Sequence, residues 1–304
     1  MTYGKLLLSC VSGGESLRLW LLDQRWFSGY LLPALPRQVR WFLRKLYLAP
    51  LDLVEQLAHG RKTSSPKRAS NFSGAVTGVV HTYEGSGDAL LGRLVESAGL
   101  TPNSRVLDIG CGFGRLGAAT GTYLNANGCY EGLDIVKDCT TWCGENVKSP
   151  HGNVKFRHAD IYNREYNPSG MVKAKDYHFP FADHSFDVVV LISVFTHMNY
   201  EDTANYMREI SRILRPGGVC YASYYFLTPV SLAAMKLPKS TFNFRYSFGS
   251  YFTASRQTPE FAIAFNETLI RELYQACGLA PEFRPGQWYQ GKVGSQDYMI
   301  GRKV

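Results

Sequence analysis

No apolar run in the chain approaches the ~20 residues a helix needs to cross a bilayer. The nearest imitation of an export signal, Leu6-Leu7-Leu8-Ser9-Cys10-Val11 after Lys5, falls short of the ~7–15 apolar residues such a core requires. The seven cysteines stand at positions 10, 111, 129, 139, 143, 220 and 277, an odd number with no CxxC pair and no zinc-type spacing. That argues against a disulfide framework and a structural metal, and for reduced thiols in a cytoplasmic protein. Clustered cations are also missing from most of the chain. Residues 71–304 carry 22 Lys/Arg against 21 Asp/Glu, which argues against nucleic acid as a partner, because phosphate binding needs grouped positive charge. No internal repeat and no long low-complexity tract is present.

The positive charge that does exist sits at the start. Residues 1–70 hold eleven Lys/Arg and four Asp/Glu. Within them, Val39, Phe42, Leu43 and Leu46 recur at i, i+3, i+4 and i+7, while Arg37, Arg40 and Arg44 form a separate stripe. This predicts an amphipathic basic helix over residues 37–47, stopped by Pro50. Such a helix can make peripheral contact with an anionic membrane, or it can pack its apolar face on the main domain with the arginines in solvent. The second arrangement is the expected one, since amphipathic helices usually face a core. Residues 60–74 (GRKTSSPKRASNFSG) have the composition of a linker. The chain therefore divides into a basic amphipathic helical extension with linker, 1–70, and a main domain, 71–304.

In the main domain, strand-like and helix-like segments alternate. Short apolar runs at Arg105–Ile109, Tyr130–Ile135, Val154–Ala159, Phe186–Ile192 and Val219–Phe226 are separated by helical patterns at Gly114–Leu124, Asp138–Asn146 and Glu201–Leu214. Pro216-Gly217-Gly218 reads as the stop between that last helix and the next strand. A helix at Glu267–Cys277 precedes a closing strand at Gln296–Arg302. The alternation predicts an α/β fold, a Rossmann-like, mostly parallel sheet with helices on both faces. Val188-Val189-Val190-Leu191-Ile192 has the continuous apolar character of a strand buried on both sides. Residues 227–265 are rich in Phe, Tyr, Ser and Pro, lack a clean period, and read as a cap insertion over the strand ends.

The densest chemical signal is Val106-Leu107-Asp108-Ile109-Gly110-Cys111-Gly112-Phe113-Gly114-Arg115: a strand, a glycine-rich turn and a helix start. Glycines permit the tight turn and let a ligand approach the backbone, and the helix start offers unpaired N–H groups. Gly112 to Gly117 also spells GxGxxG, with Asp134 twenty residues beyond Gly114, the spacing of a dinucleotide fingerprint. Asp108 argues against that ligand, because a carboxylate just before the glycines would repel a pyrophosphate and attract a cationic sulfonium with a free amino group.

The run VLDIGCGFGRLG resembles the first motif of the class I S-adenosylmethionine (SAM)-dependent methyltransferases. Further segments resemble later motifs in the same order: Tyr130–Ile135, His158–Ile161, Phe179–Phe181 through Ser185–Val189, and Ile213–Gly218. The likeness covers about residues 75–304. The stretch SVFTHM, with QDYMIGRK near the end, is similar to bacterial members that methylate glycans or natural products. The resemblance implies SAM as cofactor. Gly110, Gly112 and Gly114 would shape the loop under its methionine part, with Asp108 near the amino group. Asp134 would accept hydrogen bonds from both ribose hydroxyls. Asp160 would meet the adenine amine, with Ile135 and Ile161 against the ring faces, and Ser193 would face the transfer zone.

Methyl transfer asks the protein for alignment and, where the acceptor carries a proton, for a base. His197, just beyond the fourth strand of the pattern, lies where ligands bind open α/β sheets. It is the candidate base or substrate contact, set against a histidine that only bonds the adjoining loop. His81 and Tyr83 could close over the cofactor, and Trp288 and Tyr289 could line an acceptor pocket or pack in the core. No Asn/Asp-Pro-Pro-Tyr/Phe follows the fourth strand and no magnesium-type acidic pair is evident, so adenine or glutamine nitrogen is disfavoured and no metal is expected. The expected acceptor is a small molecule or glycan, methylated at oxygen. Two other readings of the same residues stay open: an NAD(P)-dependent oxidoreductase using the overlapping GxGxxG, and a non-catalytic SAM-binding or membrane-docking protein.

Overall fold

The computed structural model describes residues 83–236, 243–290 and 296–304, with residues 31, 34–36, 38–43, 45, 46, 48, 49 and 66 before them. Cys10, Arg37, Arg44, Tyr47, Pro50, His81 and, apart from Pro66, the linker expected at 60–74 lie outside the described residues.

Seven strands form the central sheet: β1 (Arg105–Ile109), β2 (Cys129–Asp134), β3 (Val154–His158), β4 (Phe186–Leu191), β5 (Leu214–Tyr224), β6 (Leu279–Arg284) and β7 (Asp297–Lys303). Their spatial order is β3-β2-β1-β4-β5-β7-β6. The β1–β2, β1–β4, β2–β3 and β4–β5 pairs are parallel. β7 runs antiparallel to both its neighbours. Order reverses between β1 and β4, so the loops after those strands leave in opposite directions and open a crevice at their carboxyl ends.

Residue alternation decides what each face of the sheet covers. In β4, Val188 and Val190 join the cluster that holds Leu90, Leu94 and Leu116, whereas Val189 and Leu191 join the cluster that holds Tyr206, Ile210 and Tyr274. The first cluster is roofed by helices α1 (Tyr83–Ala98) and α2 (Arg115–Tyr123). The second is covered by α4 (Tyr200–Ile213) and α6 (Glu267–Ala276), with α3 (Lys137–Asn146) following β2. Asn199 and Asn266 cap α4 and α6 by accepting the backbone N–H groups of Asp202 and Thr268, which satisfies donors the helix itself leaves unpaired.

Pro216-Gly217-Gly218 lies inside a strand instead of ahead of one. α4 stops at Ile213 and β5 begins at Leu214, with a register irregularity opposite Phe186–Val188. Gly217 takes φ 74°, and the bulge absorbs the residues read from sequence as a turn. The region after β5 folds as a small sheet of Phe226–Leu227, Ile263–Asn266, Phe252–Thr253 and Tyr246–Ser247, in that order, with α5 (Pro229–Ala234) beside it. Its apolar side, with Tyr225, Phe244, Ala264 and Trp288, makes a third cluster.

The N-terminal helical stretch reverses its expected orientation. Val39 is 40% exposed, Phe42 65%, Leu43 46% and Leu46 62%, whereas Arg40 is 7% exposed. Arg40 forms an ion pair with buried Glu165 and stacks over Phe261 at 4.8 Å. Trp41 Nε1 donates to the same carboxylate at 3.3 Å. A buried carboxylate opposite a buried guanidinium outweighs apolar patterning here, because either charge left alone in that position would be costly.

Candidate functional site

The turn after β1 is built on three glycines with left-handed backbone: Gly110 (φ 74°), Gly112 (φ 54°) and Gly114 (φ 71°). A Cβ on Gly110 would stand 2.4 Å from Val194 Cγ2, and one on Gly114 would stand 2.9 Å from Cys143 Sγ. At Gly112 an added Cβ would meet nothing within 4 Å. Two glycines therefore permit close packing, and the third presents bare backbone to open space. Gly110 N–H donates to Leu133 O at 2.7 Å, stitching the turn to β2.

Asp134 ends β2. Its Oδ2 accepts the Gly112 N–H at 2.7 Å and its Oδ1 accepts the Val136 N–H at 2.8 Å. Burial pushes its carboxyl above the ordinary range, and the hydrogen bonds from Val136 and Gly112 oppose that push. Each oxygen keeps a second lone pair, so two vicinal hydroxyls can be accepted in addition. Asp108 lies beneath the same turn, and its Oδ2 accepts the Tyr130 hydroxyl at 2.6 Å. Burial raises it to about 7, against the pull of Tyr130 and of the Arg115 charge, with Asp134 adding a smaller upward push. Asp160 follows β3 and is exposed, with Asn167 Nδ2 at 3.5 Å from its Oδ1. The backbone of Ala159, one residue earlier, donates to Asp134 O, so the ends of β2 and β3 are adjacent. Ile135 is partly buried, and Ile161 lies inside the core cluster. Tyr83 braces the turn from outside, donating its hydroxyl to Phe113 O at 2.6 Å, and both rings meet Trp142 edge-on.

The ends of β4, β5 and β7 form a second group. Ser193 takes φ 61°, a region that costs an L-residue energy and recurs at functional positions. Its N–H donates to Ser223 Oγ at 2.7 Å, and its hydroxyl donates to Gln296 Oε1 at 3.0 Å. Ser223 donates to the same oxygen at 2.6 Å, and Gln296 Nε2 donates to Tyr225 Oη at 3.2 Å. Asp297 anchors the chain above them by accepting the N–H groups of Phe226, Gly286 and the Trp288 indole, each within 2.8 Å. Trp288 is thereby buried against Tyr225, Phe244 and Tyr289.

His197 lies in the 3-10 turn Phe195–His197. Its Nδ1 bonds Glu260 O at 2.8 Å and its Nε2 bonds the Tyr166 hydroxyl at 3.2 Å. A carbonyl can only accept, so Nδ1 carries the proton and Nε2 receives the tyrosine's. Burial lowers the imidazole to about 4, which keeps it neutral at neutral pH. Both ring nitrogens are engaged, and the ring joins two loops. Sequence reasoning missed Tyr166, Ser223, Gln296 and Asp297. Tyr166, Ser223 and Gln296 gain meaning only from partners about 30 to 100 positions away, and Asp297 from Phe226 as well as the nearer Gly286 and Trp288, although Gln296 and Asp297 open the QDYMIGRK stretch.

Six cysteines lie among the described residues and all are free. No group of three or more potential metal ligands occurs among the described residues.

The chain is similar to several known proteins. Residues 106–218 match the family model of a methyltransferase domain. Over 140 residues the chain is 31% identical to Methyltransferase GfsG of Streptomyces halstedii, a match spanning 44% of this chain and 42% of that protein. The PH0226 protein of Pyrococcus horikoshii OT3 superposes over 79% of this chain and 100% of its own, at 18% identity and a TM-score of 0.52. Magnesium protoporphyrin IX methyltransferase of Synechocystis PCC 6803, solved with bound S-adenosylhomocysteine, aligns over 86% of this chain and 99% of its own, at 14% identity and a TM-score of 0.49.

Proposed function

From the premise that this chain belongs to the class I SAM-dependent methyltransferases, we propose that it methylates an oxygen of a small-molecule or glycan acceptor. The observation that carries the cofactor half is the Asp134 carboxylate held on the Gly112 N–H at 2.7 Å, at the meeting of two parallel strand ends. Bound SAM supplies a methyl group on a positively charged sulfur. Around it, Gly112 offers backbone without a side chain in the way, and Asp134 accepts the ribose hydroxyls on its remaining lone pairs. Asp160 takes the adenine amine, and Ile135 gives the ring an apolar wall. Asp108 contributes a carboxyl below the turn, close enough to Asp134 for their charges to interact.

Ser193, Ser223, Gln296 and Tyr225 supply hydroxyl and amide groups but no formal charge. A set of neutral donors and acceptors beside aromatic rings suits a hydroxylated, uncharged acceptor. His197, held neutral, serves here to orient the Tyr166 hydroxyl and to keep an acceptor for its proton.

Calorimetric titration of SAM against the wild-type protein and Asp134→Ala tests the cofactor half. The variant should bind more weakly by about 1.5–3 kcal/mol, the worth of charge-assisted hydrogen bonds. An unchanged dissociation constant removes Asp134 from the site. Incubation with methyl-labelled SAM and fractionated small-molecule and oligosaccharide pools, followed by mass spectrometry, then tests the acceptor. A labelled amine would refute the oxygen assignment and leave the donor site standing.

A further inference from the structure

The helical residues around Arg40 are held to the domain by a side that carries Arg40 and Trp41, with Leu48 buried further along. Arg40 pairs with Glu165, donates to Leu35 O at 2.5 Å and lies over Phe261, while Trp41 reaches the same glutamate. The side turned away carries Phe42 and Leu46, both more than 60% exposed, flanked by Leu43 and Val39. Spacing of three and four residues makes these four one ridge along the helix. A contiguous apolar ridge on a protein surface marks an interaction site more often than a scattered leucine does.

Charge says what covers it. The first 70 residues carry eleven cations against four anions, while the rest of the chain is close to neutral. Exposed Lys45 belongs to the same helix. Large apolar side chains among lysines and arginines are the composition of helices that lie in a lipid interface and are drawn to anionic headgroups. A second protein copy would offer the same basic extension and meet it with repulsion.

We propose that the ridge Val39, Phe42, Leu43 and Leu46 seats this protein on the surface of an anionic lipid bilayer. Among the described residues no helix is long and apolar enough to cross a membrane. The inference rests on exposure and charge, independently of the methyl-transfer reading.

The test is co-sedimentation of the full-length protein with vesicles of pure phosphatidylcholine and with vesicles of equal parts phosphatidylcholine and phosphatidylglycerol. Binding should favour the anionic vesicles and weaken as salt is raised. The double variant Phe42→Asp, Leu46→Asp should lose at least roughly tenfold in partitioning. Phe42→Leu, which keeps the apolar character, should retain most of it, and SAM titration should be unchanged in all three proteins. Wild-type protein that stays in the supernatant, or a double variant that binds as well as wild type, overturns the proposal. So does a wild-type dimer in analytical ultracentrifugation that the double variant dissolves, because the ridge would then be a self-association surface.

Discussion

The two halves of the sheet's carboxyl edge are made by different means. On the β1–β2–β3 side, the site is mostly backbone: three left-handed glycines and a carboxylate that takes two main-chain N–H groups. On the β4–β5–β7 side it is mostly side chain, with Ser193, Ser223, Gln296 and Tyr225 bonded to one another and Asp297 gripping three donors. A backbone site tolerates little variation, because all three glycines take a left-handed backbone that L-residues rarely adopt, and two of them also leave no room for a Cβ. A side-chain site can be rebuilt one residue at a time, which suits the half proposed to meet the acceptor.

The largest expected effect tests whether the halves are separable. Asp297→Ala strands the Phe226, Gly286 and Trp288 donors in a buried place, and should cost about 3–5 kcal/mol of stability. Urea unfolding measures this, and SAM affinity should hold within a factor of about two wherever the protein stays folded. A matching loss of SAM affinity would break the comparison, showing one coupled unit.

Gly110→Ala should do the converse. It forces an L-residue into φ 74° with its Cβ 2.4 Å from Val194 Cγ2, an expected cost of about 2–4 kcal/mol. It should also weaken SAM binding tenfold or more, read by calorimetry. Full SAM affinity would mean that the turn does not hold the ligand.

The smallest effect concerns Asp108. Its carboxyl is raised from 3.8 to about 7 by burial, so the folded state holds that proton more tightly than the unfolded chain. The stability it contributes is complete below pH 3.8 and is lost as pH rises through about 7. Asp108→Asn cannot ionise, and its melting temperature relative to wild type should climb between about pH 5 and about pH 8, by the equivalent of about 1–3 kcal/mol. A flat difference would mean that Asp108 ionises freely, and would place it on the solvent side of the turn.

The same division explains what could be read from the amino acids alone. Val106–Arg115 carries strand, turn and helix start within ten consecutive residues, and the structure places β1, the three left-handed glycines and α2 there. The parallel order and both helix faces follow from alternation that is local in sequence. β6 went unread, because Pro281 interrupts a strand that lies at the sheet edge, where proline is tolerated. The Ser193–Gln296 contact spans 103 positions, and no spacing rule reaches that far. The orientation of the helical residues around Arg40 is illegible for a related reason: their apolar period is clear, but the burial of Arg40 depends on Glu165, 125 positions later.

The contacts around His197 close on themselves. Arg40 holds Glu165, the neighbouring Tyr166 holds His197, His197 holds Glu260, and the adjoining Phe261 lies under Arg40. A closed loop of this kind has no spare member, so its upstream link is structural for everything after it. A chain trimmed to start at Tyr83 would keep every glycine and carboxylate of the β1–β2–β3 side. It would also remove the Arg40 and Trp41 contacts of Glu165, one residue from the Tyr166 that holds His197, so an intact glycine turn would be no guide to whether this ring survives trimming.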